Sequence, residues 1–525
     1  MSYDQEFISE LAESLRERQK MRDLKTSGRR HKIKNIFTGA RINRLNADQP
    51  TMRMSIDYDI RTSLPVLVAR SRHLWQNNSY AKKFHKMLKT HVVGPDGIIF
   101  NNKAKKSGSE ELYSDLNRAF EGTLAEWGKP GNCDVTGRLS WLDIQNLYIQ
   151  TMSMDGEVLI REITGFDSPW GYALQFIDTS CLDFNKNEIL PNGNIVKMGV
   201  EMNKWKRPVA YWFLQRNPGE YLNPPTSDTW LRVPAEEIIH HFEPEFVNQT
   251  RGFPWVHAVM VDLAMLGGAR EAEVVAFRAA AAKMGLITEP EGESLEGNTE
   301  EDDETAGSGD YEIVFDAQAG SFMKLPKGYE AQFFDPKHPK GTVPEFSKSI
   351  LKGTASGLGI SYPSLASDLE GVNYTSIRAG FLDERDFFKY LQTAFLINRL
   401  CARVIPNMLK MAMLTGTLRA SLAMFEKLYV PKFQPRTWAW VDPLKEVDSD
   451  TQELNSGFTT RTAEAAKRGL DYEEDILQVL QQEKKLEEKY DITFEPVKNK
   501  KSANIDEPEP VAPGKNGGNE DDDDD

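Results

Sequence analysis

The sequence predicts an α+β protein that is mainly helical, and three observations carry that expectation. Apolar residues recur at three- and four-residue spacing over long stretches towards both ends of the chain. Between about 158 and 242 the spacing shortens to two, the period of strands. Gly- and Pro-containing segments separate these stretches, as turns do between compact elements.

A chain of 525 residues is long enough for several cores, and length alone suggests three or four domains. With 40% apolar and 27% charged residues, it has the balance of a soluble folded protein with polar tails. Lys410 interrupts the apolar run Val404 to Leu414, and no transmembrane span is expected. The opening residues, MSYDQEFISELAESL, lack an apolar signal core, so folding is expected in the cytosol. Cys133, Cys181 and Cys401 lie far apart and read as reduced structural thiols. A net charge of −15 argues against tight clamping of nucleic acid, which needs clustered cations. It is compatible with a wall past which DNA slides.

Residues 1–56 form a basic arm, with Arg16, Arg18, Lys20, Arg22, Lys25, Arg29, Arg30, Lys32 and Lys34. Such an arm suits DNA or an acidic partner, and equally a solvated helix and tail. Helices are expected over 59–88, with a break at Asn77-Asn78-Ser79, and over 110–127 and 140–154. Strands follow at 158–163, 173–177, 195–202, 209–214 and 234–242, with a hairpin turn at Asn203–Lys206. His240 and His241 tempt a metal reading. Adjacent strand residues point to opposite faces, and no ligand set completes a site, so no metal is assigned.

A long helix is expected over 256–284, weakened midway by Gly267-Gly268 and ending in four alanines. Residues 289–310 are acidic without Lys or Arg and read as an exposed mobile loop. Short strands near Tyr311–Phe315 and Ser321–Leu325 follow. The stretch Ser347–Gly380 then reads as helix, long loop and helix. From Ile360 to Asn373 it shows no strand or helix period, and Tyr374 opens a helical run to Arg403. Helicity continues from Ile405 to Leu428 with a break at Gly416. Residues 430–444 read as an irregular strand and turn. Thr460 caps a short helix, and Asp471 with Glu474 forms a capping box for 472–490. From Lys498 onward, Pro, Gly and acid predict disorder.

No GxxxxGK[ST], GxSxG or HExxH run exists. Ser361, Ser364 and Ser367 have no evident His partner, so turn formation explains them better than nucleophilic catalysis. Nothing in the residues demands an enzyme or a cofactor.

Short motifs in a fixed order nevertheless form a pattern. They are Arg70-Ser71-Arg72 with Asn77-Asn78, Val93-Gly94-Pro95-Asp96-Gly97-Ile98, Gln175-Phe176-Ile177-Asp178 and Gly199-Val200-Glu201. Then come Arg207-Pro208-Val209-Ala210-Tyr211, Val233-Pro234-Ala235-Glu236 through His240, and Gln249-Thr250-Arg251-Gly252-Phe253-Pro254. The last are Gly357-Leu358-Gly359-Ile360-Ser361-Tyr362, Asn373-Tyr374-Thr375-Ser376-Ile377-Arg378-Ala379-Gly380 and Pro435-Arg436 with Trp440-Val441-Asp442-Pro443-Leu444-Lys445-Glu446. In this order, over residues 57 to 485, the chain resembles the lambda-type portal proteins of tailed bacteriophages.

The resemblance implies a ring, commonly of twelve subunits, at one capsid vertex. It implies nucleation of capsid assembly with major capsid and scaffolding proteins and docking of the terminase large subunit. It further implies head–tail connector binding and passage of double-stranded DNA, in the virion and, during assembly, the host cytoplasm. The implied regions are wing (57–254 and 374–447), first stem helix (255–284) and clip (285–342, containing the acidic insert). The second stem helix is 343–358, the tunnel loop 359–373 and the crown 448–497, ahead of an acidic tail at 498–525. Tunnel-loop and channel candidates are Ser361, Tyr362, Ser367, Asp368, Glu370, Asn373 and Arg378. Clip candidates are Tyr311, Phe315, Lys324 and Lys327. The alternatives are a monomeric nuclease using Asp368, Glu370 and Asp383 with Mg²⁺, and a non-viral acidic scaffold or adaptor.

Overall fold

A computed structural model describes residues 13–19, 44, 51–52, 54–106, 112–219, 230–281, 285–288, 330–333, 342–371, 373–438, 443–470 and 472–491. Two compact units are distinguished, Met1–Asp59 and Ile60–Asp525. The first contains a helical segment over residues 13–19. The second, from Ile60 on, holds the elements described below apart from the first residues of the opening helix.

Helices α1 (Ile56–Asn77) and α2 (Ser79–Leu88) meet at the expected break. Asn78 is extended there, and its side chain accepts from the amides of Tyr80 and Ala81, supplying partners that a helix start lacks. Strand β1 (Ile99–Asn102) follows, then α3 (Ser114–Trp127) and α4 (Trp141–Asp155). Ser140 and Asp143 close a capping box at the start of α4.

Strands β2 (Glu157–Thr164), β3 (Tyr172–Ile177) and β9 (Ile238–Phe242) form an antiparallel sheet in the order β3-β2-β9. A second antiparallel sheet runs β4 (Glu188–Ile189), β5 (Ile195–Lys197), β6 (Val200–Met202), β7 (Pro208–Leu214) and β8 (Trp230–Pro234). The single strand expected over 195–202 is therefore a hairpin. Met198 and Gly199 both have positive φ, at 47° and 82°, so the chain reverses where the apolar pattern alone reads straight through. The Asn203–Lys206 turn lies where expected, between β6 and β7.

Helix α5 (Met260–Ala281) follows a short 3-10 turn and runs without interruption through Gly267 and Gly268, so no break in helicity marks the pair. Strands β10 (Gly285–Thr288) and β11 (Glu330–Phe333) pair antiparallel. The strands expected at 311–315 and 321–325, the acidic insert and the four clip candidates lie outside the described residues. Helix α6 (Thr342–Gly357) packs along α5.

Helix α7 (Tyr362–Ala366) and α8 (Tyr374–Leu391) come next. From α8 a π-helical segment (Gln392–Cys401) leads directly into α9 (Ala402–Leu414). The wide turns coincide with a buried glutamine. The Gln392 amide donates to the carbonyls of Val92 and His91, in a second π segment (Lys89–Val93), and of Arg436. A short helix α10 (Phe425–Leu428) precedes β12 (Pro431–Gln434), which returns to pair with β1. The C-terminal helices are α11 (Pro443–Asn455), α12 (Arg461–Lys467) and α13 (Gln478–Tyr490). Thr460 caps α12 as expected, and α11 crosses residue 447, where the wing was expected to give way to the crown. The capping box expected at Asp471 starts outside the described residues. Among the described residues no helix is long and apolar enough to cross a membrane.

One core joins α2, α4, β2, α8, the π segment and α9 through buried Phe84, Tyr148, Met152, Ile160, Phe388, Phe395 and Met408. Burying side chains of this size stabilises by about 1.5–3 kcal/mol each before entropy is counted. A smaller core, with Leu182, Val200, Tyr211 and Phe213, underlies the five-stranded sheet.

Candidate functional site

The candidate loop begins where α6 stops. Ile360 donates its amide back to the Ala355 carbonyl, and Gly359 adopts φ 69°, a conformation that turns the chain out of the helix. The segment expected to be period-free then makes one helical turn and a half, α7. Ser361 starts it by accepting from the Ser364 amide. Ser367, at φ 56°, ends it in the left-handed region. The sequence hid this because Ser-Tyr-Pro-Ser-Leu-Ala-Ser is too short to show a period, although Ser before a Pro-containing first turn is a helix-start signal.

The seven candidates divide into two groups. Ser361, Tyr362, Ser367, Asp368 and Glu370 are brought together by three supports. Glu384 of α8, buried, accepts from the Ser361 amide at 2.6 Å and the Ser364 hydroxyl at 2.9 Å. The Tyr362 hydroxyl donates to Asp368 at 2.7 Å, and Lys348 of α6 lies 3.3 Å from Asp368 and 3.8 Å from Glu370. Lys83 of α2 donates to the Ser367 hydroxyl at 3.1 Å. Asn373 and Arg378 belong to the start of α8. Asn373 caps α8 by accepting from the Ser376 amide at 2.8 Å, and Arg378 is half-buried on that helix.

The electrostatics follow from these contacts. The Tyr362 hydrogen bond, with the Glu370 amide and Lys348 behind it, holds the Asp368 carboxyl below its ordinary range. Burial and the hydrogen bond to Asp368 push Tyr362 up to about 12. Lys352, one helical turn beyond Lys348, lies 5.9 Å from the Tyr362 ring centroid. Lys83, Lys348, Lys352 and Glu384 were not anticipated. The four-residue spacing of the two α6 lysines was the available signal; nothing local connects Lys83 to a loop so distant in sequence.

This set fastens a loop with polar, partly exposed contacts. It does not assemble a metal site: Asp368 and Glu370 share Lys348, and Asp383 is not grouped with them. The one ligand-capable trio among the described residues is Asp450, Glu453 and Glu464. Lys467 stands 2.7 Å from Glu464 and 3.9 Å from Glu453, and Arg468 3.4 Å from Asp450, so cations of the chain already serve it. His240 and His241 do face opposite ways. His240 meets Glu157 at 3.0 Å, and His241 meets the Tyr148 hydroxyl at 2.9 Å.

The family description "Phage portal protein, lambda family" matches residues 43–392. The chain belongs to the lambda family of phage portal proteins. Among its relatives is a protein described as a probable portal protein of Halomonas phage phiHAP-1, 37% identical over 393 residues, 75% of each chain. The portal protein B of Escherichia phage lambda is 23% identical over 443 residues, covering 77% of this chain and 81% of that one. A solved structure, the neck of an empty gene transfer agent particle, aligns with a TM-score of 0.40 at 15% identity, over 77% of this portal chain and 93% of its own.

Several family motifs prove to be partners across the fold. Arg72 reaches Asp155 at 2.8 Å and Asp178 at 3.0 Å, joining the first and third motifs. Gly94 lies against Arg436, where a Cβ would come within 2.7 Å of the Arg436 side chain. Arg251 is buried, donates to Glu157 at 2.8 Å and to the Met198 carbonyl at 2.9 Å, and so braces the turn that Gly199 completes.

Proposed function

We propose that this chain forms a ring of about twelve subunits at one capsid vertex, through which double-stranded DNA passes. Its membership of the lambda portal family is the observation that carries this reading. In it, the wing comprises 57–254 and 374–447, the stem helices 255–284 and 343–358, the clip 285–342 and the crown 448–497, with α11 leading into the crown. The loop at 359–373 faces the duplex as a tunnel loop, with Ser361, Tyr362, Ser367, Asp368, Glu370, Asn373 and Arg378 on or beside the channel. Reversible polar fastenings around Asp368 suit a gasket that shifts as DNA moves. A net charge of −15 per subunit favours passage over capture.

The clip candidates Tyr311, Phe315, Lys324 and Lys327 present to terminase during packaging and to head–tail connectors afterwards. Capsid and scaffolding proteins meet the ring during assembly, in the host cytoplasm, and the ring stays in the virion. The role is structural and conductive, without catalysis. Negative-stain imaging of the purified protein is expected to show rings with a central hole. A stable monomer that cuts DNA in Mg²⁺ overturns the reading.

A further inference from the structure

Away from the loop, the five-stranded sheet presents a surface that the portal reading does not use. The turns 190–194 and 203–207 leave the same end of that sheet, because Ile189 of β4 and Met202 of β6 both pair with Ile195, the first residue of β5 between them. The 203–207 turn is tightly ordered. Asn203 accepts through its side chain from the amides of Trp205 at 2.9 Å and Arg207 at 3.1 Å. Its carbonyl takes the Lys206 amide, and its own amide donates to the Arg207 carbonyl.

This frame holds Trp205 out into solvent at 78% exposure, with Ile189 at 77% close to the same edge. Lys204, Lys206 and Arg207 are exposed around it, and no carboxylate pairs with them among the described residues; Lys204 instead lies 5.4 Å from the Trp205 ring centroid. Beside the turn opens a cleft of about 780 Å³, lined in part by Asn203, Arg207, Tyr211, Glu236, Arg403 and Asn407. Arg403 is already engaged by Glu162 and the Glu236 carbonyl, so the free positive charge lies on the hairpin.

We propose that this hairpin and cleft are the docking surface for an acidic, extended segment of a separate protein. Its carboxylates sit on Lys204, Lys206 and Arg207, and one apolar side chain packs on Trp205. Charge complementarity selects the occupant. Three cations within four residues, without a carboxylate partner among the described residues, form a local reversal of sign on a chain of net charge −15 and so attract an acidic segment. An exposed Trp ringed by cations is the composition of an interface anchor. A duplex is the poorer fit, since binding of useful strength engages about 6–10 phosphates and the cleft also carries Glu236.

The test is fluorescence anisotropy of a labelled peptide, Asp-Glu-Asp-Leu-Asp-Glu-Asp, with the full chain at low salt. Wild type is expected to bind, with affinity falling as salt rises. The double variant Lys204→Glu/Lys206→Glu should weaken binding by about tenfold or more. Trp205→Ala should weaken it several-fold, and Lys204→Arg/Lys206→Arg should retain it. Unchanged thermal unfolding checks that these exposed substitutions leave the fold intact. No binding by wild type, equal binding by the charge-reversed variant, or preference for a DNA duplex of about 20 base pairs overturns the proposal. A change in oligomeric state caused by Trp205→Ala also overturns it, by making the surface a contact between copies.

Discussion

At the scale of single residues, the tightest constraints lie in a buried ionic knot. Glu157 and Arg251 are 1% and 2% exposed, and His240 completes the set. Burial alone would raise the Glu157 carboxyl, but the Arg251 charge and the His240 hydrogen bond outweigh it and hold it at about 2. Removing one member strands the other without water. Arg251→Ala is therefore expected to cost about 3–5 kcal/mol, seen as a large drop in thermal midpoint. Replacing Lys129, whose partner Glu126 is also exposed, should change the midpoint little. Beside the knot, Gly156, at φ 90°, and Gly252 face each other so closely that a Cβ on either would overlap the other's backbone or its neighbour's. The sequence displayed Arg251 and Gly252 only as parts of one short motif in an ordered series. What they hold was illegible, because Glu157 lies far away along the chain and no periodicity links them.

Among the elements, helices were the most legible, since long amphipathic periods and side-chain caps are local. Asn78, Ser140 and Thr460 each cap the helix expected to follow them. The five-stranded sheet was less legible, because its strands are short and one reversal depends on Met198 accepting a positive φ. The candidate loop was legible as an interruption, but its ties to Lys83, Lys348 and Glu384 come from three different helices. Of these only Glu384 belongs to α8, and the cap of that helix at Asn373 is a separate contact. Deleting Ser361–Gly371 is accordingly expected to leave rings intact and to impair DNA packaging or retention. Electron microscopy together with a nuclease-protection measurement of packaged DNA distinguishes this from loss of assembly, which would make the loop structural.

For the whole molecule, acid is the informative perturbation. Burial, with Lys89 nearby, lowers His85 from its ordinary 6.5 to about 4, and burial lowers His241 to about 3. Both are neutral in the folded chain and take up protons more readily when unfolded. Their stabilising contribution is complete above pH 6.5 and is lost as pH falls towards their folded values. His85 alone accounts for on the order of 3 kcal/mol across that window. Glu157, depressed to about 2, adds a further loss between pH 4.5 and 2. Thermal midpoints are expected to be level near neutrality and to fall steeply from pH 6 to 4, with His85→Gln flattening the upper part of that slope. A flat profile over this range would contradict the buried neutral state of His85.

The π segment at Gln392–Cys401 gives the loop's helix an unusual property. A wide turn carries one residue more than an α turn, so passing that residue along the ladder changes the helix upstream by one register step. Such a step rotates α8 by about 100° and slides it about 1.5 Å, while α9 keeps its place. Gln392, donating to three carbonyls, pins the start of this segment against such a step. The helix that carries the loop thus resembles a bolt on a thread, locked in its present register by the Gln392 bonds and by buried Phe388 and Glu384.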